Sequence, residues 1–454
     1  MKTPIFDFVK KYADSDVTRF HMPGHKGCGA LGVERYDITE ICGADTLYFA
    51  DGIIKESEEN ATELFGTEYT YYSTEGSTLA IKAMLATALV NAKAGAKRTL
   101  VALRNAHKAL IYAAAELDFD ISWIFPEEDT HYCSCEVTPE GLRAAITEAS
   151  PFAVYITSPD YLGQLADIAE LSDVCHECGV PLLVDNAHGA YLAFTSPNMH
   201  PIALGADMCA DSAHKTLPVL TGGAYLHISE SADSEYVGTA CKMLRAFAST
   251  SPSYLLLSSL DLCNRELSQG YSQKINSCAE KVEKIKKTLF DIGAAPIESE
   301  PLKIVFRASQ LGYCGMELSE HFRSFGIEVE FADGDYTVLM ITPNNTEEDF
   351  SRLIEAAKAL DAKNPKIEEN SYKMPRPSVR LSIKDAVFSK SESVATSDAV
   401  GRICASPVAS CPPAVPIVVS GEVIDEKTAE ILYKFGIEKI DVVKEMQYEI
   451  GNYS

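Results

Sequence analysis

The stretch Ala210-Asp211-Ser212-Ala213-His214-Lys215-Thr216 sets a hydroxyl, an imidazole and an amine within four positions. It follows the apolar run Ala206 to Cys209 and precedes Thr221-Gly222-Gly223, which puts Lys215 in a tight loop at a strand end. A lysine in such a loop is open to desolvation, which lowers its pKa and frees the neutral amine as a nucleophile. Ser212 and His214 can both hydrogen-bond an anion such as a phosphate. Earlier in the chain, Val180 to Val184 reads as a short buried strand that runs into Asp185-Asn186-Ala187-His188-Gly189. A carboxylate there can keep a pyridine nitrogen protonated, so that the ring accepts electrons. Lysine, carboxylate and anion-binding turn together suggest pyridoxal 5'-phosphate (PLP) carried on Lys215 as a Schiff base. Taken singly, Lys215 reads as a surface cation and Asp185 as a cap or turn residue; the pairing gives them meaning.

These residues need a frame that brings strand ends together. Apolar runs predict strands at 69–73, 99–103, 121–125, 152–157, 181–184, 206–209 and 223–228, several separated by helices. Such alternation predicts an α/β fold with a mainly parallel sheet covered on both faces, and ligands at the carboxyl ends of its strands. Arg104 to Lys108, Ser158 to Tyr161, Asp185 to His188 and Ser212 to Lys215 all fall at such ends. Gly76-Ser77-Thr78 opens a helix running to about residue 92. Free N–H groups, hydroxyls and the positive end of the helix dipole coincide there, as a phosphate site requires; a plain N-cap by Ser77 or Thr78 gives the same pattern.

The organisation expected is an N-terminal arm over 1–50, a PLP-binding large domain over 51–292 and a smaller α+β C-terminal domain over 293–454. The arm holds one amphipathic helix near 4–12 and the loop His21-Met22-Pro23-Gly24-His25-Lys26-Gly27. Residues 258–292 read as one long helix joining the domains. Strands at 303–307, 328–331 and 337–341 read as antiparallel, and Thr346-Glu347-Glu348-Asp349 as a capping box for a helix reaching 362. Prolines at 365, 375 and 377 mark a linker over 363–378.

Composition bounds the partners. The 454 residues carry 40 basic against 65 acidic side chains, a net charge of −25, which disfavours nucleic acid and anionic membranes. No apolar run approaches a membrane span, and the first residues lack a signal-peptide core, so a cytoplasmic protein is expected. Thirteen scattered cysteines fit reduced thiols better than a disulfide framework. Cys175-His176-Glu177-Cys178 lies in an expected helix and has no second pair at zinc spacing, so no metal is expected.

Read together, the motifs resemble the ornithine/lysine/arginine decarboxylase family, PLP enzymes of fold type I related to aspartate aminotransferase. The resemblance runs through His-x-Pro-Gly-His-Lys-Gly at 21–27, Gly-Ser-Thr at 76–78 and Arg-Asn-x-His-Lys at 104–108. It continues through Asp-x-Ala-His-Gly at 185–189 and Ser-x-His-Lys at 212–215, and ends in Pro-Pro-x-x-Pro followed by Gly421-Glu422. It implies that Lys215 carries the Schiff base, Asp185 meets the pyridine nitrogen and His107 stacks on the ring. Gly76, Ser77, Thr78, Ser212 and His214 would surround the phosphate, and His188 would lie beside the cofactor. Lys108 is a rival for the Schiff base, but in this fold the lysine follows the aspartate. The implied reaction is decarboxylation of arginine, lysine or ornithine to the amine, a step in polyamine biosynthesis, by a homodimer or higher homo-oligomer. Glu422 would bind the distal cation of the substrate, with Glu75 and Asp160 as other acidic candidates. The sequence departs from the family pattern at Asn186, Glu75, Cys411, Ala414 and Ser420, which bears on the substrate rather than the cofactor. Another PLP reaction, transamination or lyase chemistry, would need a substrate clamp such as Arg376 or Arg380. A non-catalytic member would be expected to lack Lys215 or Asp185.

Overall fold

The computed structural model describes residues 1–127, 130–365, 374–408 and 413–444. Helix α1 (Pro4–Ala13) starts without a side-chain cap of its own. Its early N–H at Phe6 instead donates to Oδ2 of Asp261, 2.9 Å away, while Ser57 Oγ donates to Oδ1 at 2.6 Å. The buried Ile5 and Val9 of this helix join the main core, which ties the arm to the body. Helix α2 (Ile53–Phe65) then leads into the central sheet.

The elements follow as β1 (Tyr69–Ser73), α3 (Gly76–Val90), β2 (Thr99–Leu103), α4 (Lys108–Leu117), β3 (Asp120–Ile124), α5 (Pro139–Ala149), β4 (Ala153–Thr157), α6 (Ile168–Glu177), β5 (Leu182–Asp185), β6 (Met208–Asp211), the short α7 (Ala213–Thr216) and β7 (Ala224–Ile228). The seven strands order as β1-β7-β6-β5-β4-β2-β3. β3, β2, β4, β5 and β6 run parallel, whereas β7 is antiparallel to both β1 and β6. The mainly parallel α/β sheet expected from the sequence is therefore present. Its inner strands β2, β4, β5 and β6 are buried on both faces, which is why they read as continuous apolar runs rather than as alternation, whereas the edge strand β3 is only partly buried. Helix α3 is apolar nearly all round and correspondingly buried from Leu79 to Ala88 except at Lys82, which pairs with Glu116.

Beyond the sheet come α8 (Glu235–Phe247), α9 (Tyr254–Leu267) and α10 (Tyr271–Asp291). The stretch read as one helix over 258–292 is thus two. Gly270 adopts φ 76°, a left-handed conformation that interrupts the helix, and the chain restarts at Tyr271. A second sheet of β8 (Lys303–Arg307), β9 (Phe331–Ala332) and β10 (Tyr336–Met340) is antiparallel as expected, with α11 (Gly315–Ser324) between β8 and β9. β9 is shorter than the expected 328–331, but Glu330 just before it still donates its N–H to Val338 O at 3.0 Å. Thr346 and Asp349 form the capping box of α12 (Glu347–Lys358), which ends short of residue 362.

The chain continues through α13 (Ile383–Val387), β11 (Ser391–Ala395), α14 (Glu426–Lys434) and β12 (Lys439–Val443); β11 and β12 pair antiparallel. Val415, Ile417 and Val418 of the proline-rich segment share a core with Leu432, Ile440 and Val442. Among the described residues no helix is long and apolar enough to cross a membrane.

Candidate active site

The carboxyl ends of β2, β4, β5 and β6 converge on a cavity of about 220 Å³. Lys215, His188, Asp185, His107 and Ser77 line it, all singled out by the sequence. Asn105, Thr157, Tyr161, Glu330 and the segment Pro413-Ala414-Val415 complete much of the wall.

Lys215 sits in α7, directly after β6, with its Nζ 3.0 Å from Nε2 of His188. His188 is buried. Burial together with the neighbouring Lys215 charge holds its imidazole well below the usual histidine range, so it is neutral. Asp185 closes β5 with its side chain buried. Burial pushes its pKa up, while the Tyr155 hydroxyl, 2.9 Å from Oδ2, and the Lys215 charge pull it down. His107 precedes α4 and accepts the N–H of Ala109 on Nδ1 at 3.1 Å. Burial, then the charges of Lys215 and Lys108, lower its pKa to about 4.

The phosphate candidates cluster at the start of α3. Ser212 Oγ donates to Ser77 Oγ at 2.8 Å, and Gly76 N donates to Gly222 O at 2.8 Å. No side chain caps this helix end, so its first N–H groups face outward beside Ser77 and the exposed Thr78. His214 gives its Nδ1 to Gly223 O at 3.0 Å and, like Gly76, Thr78 and Ser212, does not line the cavity itself.

Below the cavity lies a fully buried charge cluster. Asp211 Oδ2 meets Nε2 of His200 at 3.0 Å and Nε2 of His227 at 3.2 Å. Burial pushes this carboxyl up, but the two histidines prevail and hold it far below the usual carboxylate range. Asn186 Nδ2 donates to the other oxygen at 2.8 Å. A Cβ on Gly189 would lie 1.9 Å from Oδ1 of Asn186 and 2.8 Å from Cδ1 of Leu192, so a larger residue here would displace the Asn186 side chain.

The acidic residues expected at the substrate are placed elsewhere. Glu422 is buried, with Oε2 3.4 Å from Nη2 of Arg104 and accepting the N–H of Val419 at 2.7 Å. Burial raises its pKa and Arg104 opposes the rise. Arg104 also donates to Pro416 O at 2.8 Å and Ile417 O at 3.2 Å, and Lys108 N donates to Ala414 O at 2.9 Å. The proline-rich segment is thereby strapped over the end of β2. Gly421 before Glu422 has φ 92°, and a Cβ there would meet Leu381 O at 2.3 Å. Glu75 is exposed and accepts the N–H of Ser249 at 2.8 Å. Asp160 is buried, bonded to Ser134 and to the N–H of Gln164, and burial pushes its pKa up to about 6. None of the three lines the cavity, and neither do Arg376, Arg380 or the 21–27 loop. Cys411 lies outside the described residues. Tyr161 and Thr157 were within reach of the strand-end rule; Glu330 carried no local signal.

The site's chemistry fits PLP. The buried polar atoms Asn105 Oδ1, Thr157 Oγ1 and His188 Nδ1, all on residues of the cavity wall, lack a hydrogen-bond partner in the protein. Such atoms call for a polar occupant. A buried carboxylate, a lysine amine and an open helix N-terminus then match the pyridine nitrogen, aldehyde carbon and phosphate of that cofactor.

A mainly parallel seven-stranded sheet with this constellation at its strand ends defines a PLP-dependent enzyme of fold type I. More narrowly, the chain belongs to the Orn/Lys/Arg decarboxylase family: the family's major-domain model matches residues 3–298, and its C-terminal-domain model residues 369–439. It is accordingly a PLP-dependent amino-acid decarboxylase. It is 29% identical to an arginine decarboxylase of Bacillus subtilis, covering 95% of this chain and 93% of that one. It is 30% identical to an arginine decarboxylase of Halalkalibacterium halodurans, covering 94% and 91%. Among solved structures, lysine decarboxylase A of Pseudomonas aeruginosa superposes with a TM-score of 0.80 at 16% identity, covering 97% of this chain and 80% of that one. The lysine decarboxylase of Francisella novicida gives 0.77 at 17%, covering 97% and 81%.

Proposed function

We propose that this chain releases the α-carboxylate of arginine, lysine or ornithine as CO2, with Lys215 anchoring the cofactor. The convergence of Lys215, His188 and Asp185 on one cavity, in a chain of this family, carries the reading. When bound, PLP supplies the electron sink for the bond pair that departing CO2 leaves behind. Asp185 holds a proton at the pyridine nitrogen, and the Tyr155 hydroxyl favours the ionised form of that carboxyl against the effect of burial. Gly76, Ser77, Thr78, Ser212 and His214 bind the phosphate at the open end of α3. His107, neutral, offers a ring face without adding charge. The Lys215 amine, 3.0 Å from a neutral His188 Nε2, exchanges a proton with it and returns one to Cα of the substrate. Glu422, through Arg104, fixes the segment that carries Pro413 to Val415.

The same reading makes the protein a cytoplasmic enzyme whose amine product feeds polyamine formation. It also makes it a homodimer. Phe20 is 94% exposed and Leu31 is 83% exposed on the arm, apolar surface that a second subunit would cover.

The test is CO2 release by the PLP-loaded enzyme from a panel of amino acids that includes arginine, lysine and ornithine. Turnover of at least one of the three is expected. Borohydride reduction followed by peptide mapping should place the cofactor on Lys215, and Lys215→Ala should abolish the adduct. A full cofactor load with no CO2 from any of the three overturns the reading, as does an adduct on Lys108.

A further inference from the structure

Two carboxylates line the cavity, and only one is claimed by the cofactor reading. Asp185 lies at the end of β5; Glu330 lies just before β9, on the second sheet. We propose that Glu330, held by Tyr161, is the receptor for the distal cation of the substrate; this rests on the decarboxylase reading above.

The positioning argues for it. Glu330 is anchored through its own N–H to Val338 O, at the point where β9 pairs with β10. That backbone bond to β10 fixes the root of the side chain although Glu330 itself lies outside the strand. Tyr161 OH donates to Glu330 Oε1 at 2.8 Å. The Tyr161 ring packs edge-on against Phe331, with centroids 5.3 Å apart, and against His188 at 4.7 Å. His188 in turn meets the Lys215 amine. From the reactive nitrogen to the carboxylate the wall thus reads amine, imidazole, phenol, carboxylate. Glu330 stands an imidazole and a phenol away from the Lys215 amine, so the site accepts an amino acid whose cation lies at the far end of an extended side chain.

The charge balance agrees. Tyr161 occupies one oxygen of Glu330 and leaves the other available. Among the described residues no lysine, arginine or histidine forms an ion pair with it. The three other acidic residues considered from sequence are engaged away from the cavity: Glu422 with Arg104, Glu75 with Ser249, and Asp160 with Ser134 and Gln164. An ammonium or guanidinium entering the cavity therefore finds Glu330 as its counter-charge, and the half-buried setting makes that contact worth more than a surface pair.

The test uses the PLP-loaded enzyme and two probes that differ only in the distal cation, butylamine and 1,4-diaminobutane, with binding read by calorimetry. The native enzyme should prefer the diamine. Glu330→Gln should lose roughly ten- to a hundredfold of that preference, the range expected for one charged hydrogen bond, and leave butylamine unchanged. Glu328→Gln, which removes the same charge from an exposed neighbour paired with Arg323, should behave as native. Tyr161→Phe should lose several-fold of the preference while keeping the carboxylate, and it decides the matter if Glu330→Gln does not fold. Where CO2 release is measurable, Glu330→Gln should raise KM for the basic substrate with less effect on kcat. Retention of the diamine preference in Glu330→Gln, or in Tyr161→Phe if that variant must stand in, overturns the proposal. Because the probes carry no carboxylate, this result is independent of whether arginine, lysine or ornithine is turned over.

Discussion

The carboxamide of Asn186 donates to Oδ1 of Asp211 across 2.8 Å, while His200 and His227 share the other oxygen of the same carboxylate. The residue directly after Asp185 is thus a donor to a second buried carboxylate rather than a third acid. Asp211 also raises the pKa of Asp185 through its charge, and the contacts from His200, His227 and the Asn186 amide favour that ionised form. Asn186→Asp would replace the donor with a carboxylate facing another. Loss of one hydrogen bond to a charged group costs about 1.5–3 kcal/mol, and repulsion adds to it. Urea unfolding followed by far-UV circular dichroism should show the midpoint falling accordingly; an unchanged midpoint would mean that the cluster takes up a proton at no cost.

Much of this was legible in the sequence because the inner strands of the sheet are buried on both faces. Runs such as Ala153–Thr157 and Leu182–Asp185 stand out as apolar, and the polar residues that end them fall at one edge. Lys215, His188 and Asp185 were reachable from that rule alone. Glu422 was not. Its buried partner Arg104 is 318 positions away, and no local pattern records a pairing of that separation. Glu330 escaped for a related reason. It enters the cavity from the second sheet, and only Tyr161, 169 positions earlier, marks where its side chain goes. The break at Gly270 was misread because polar residues on either side keep a helical period, and only the left-handed φ shows the stop.

The Tyr155–Asp185 contact makes a prediction about pH. Burial raises the Asp185 carboxyl, and the Tyr155 hydroxyl at 2.9 Å opposes that rise by favouring the ionised form. Removing the hydroxyl in Tyr155→Phe should move the acid limb of the kcat profile to higher pH, because a protonated Asp185 no longer supplies the negative charge that keeps the pyridine nitrogen protonated. Asp185→Asn removes the charge at every pH. It should retain bound cofactor and lose about 10²–10³ in kcat, the effect of one preorganised electrostatic group. A Tyr155→Phe profile that superimposes on the native one would mean that the hydroxyl does not bear on the ionisation.

Glu58 offers a stability test away from the site. It is fully buried in α2, with Tyr72 N donating to Oε1 at 2.9 Å and Tyr69 OH to Oε2 at 3.0 Å. Burial raises its pKa to about 8. The folded chain therefore holds a proton that the unfolded chain has lost above the ordinary glutamate range. The contribution is complete below that range and declines as pH rises toward 8, at about 1.4 kcal/mol per pH unit for one proton. Glu58→Gln keeps the shape without the titration: its oxygen accepts the Tyr72 N–H, and its amide nitrogen donates to the Tyr69 hydroxyl oxygen in place of accepting from it. Its urea midpoint should fall less than the native one between pH 5 and pH 8, and parallel curves would assign the native loss to other groups.

The last prediction concerns the strap over β2. Arg104 is wholly buried and holds Glu422, Pro416 O and Ile417 O at once, with its guanidinium 5.1 Å from the centroid of the Trp123 ring. Removing one member of a buried ion pair leaves the other charge uncompensated, at a cost of about 3–5 kcal/mol. Glu422→Ala should therefore destabilise the chain, and the effect should concentrate on the segment that supplies Pro413, Ala414 and Val415 to the cavity wall. Hydrogen exchange read by mass spectrometry should show peptides covering 413–422 losing protection before those of β4 and β5. Glu422→Gln keeps an oxygen for the Val419 N–H and should loosen the segment less than Glu422→Ala does. If Glu422 instead met the substrate directly, Glu422→Gln would weaken 1,4-diaminobutane against butylamine while exchange over 413–422 stayed as in the native protein. The position of the carboxylate, tied between Arg104 and Val419, calls for the opposite pattern: changed exchange with the diamine preference retained.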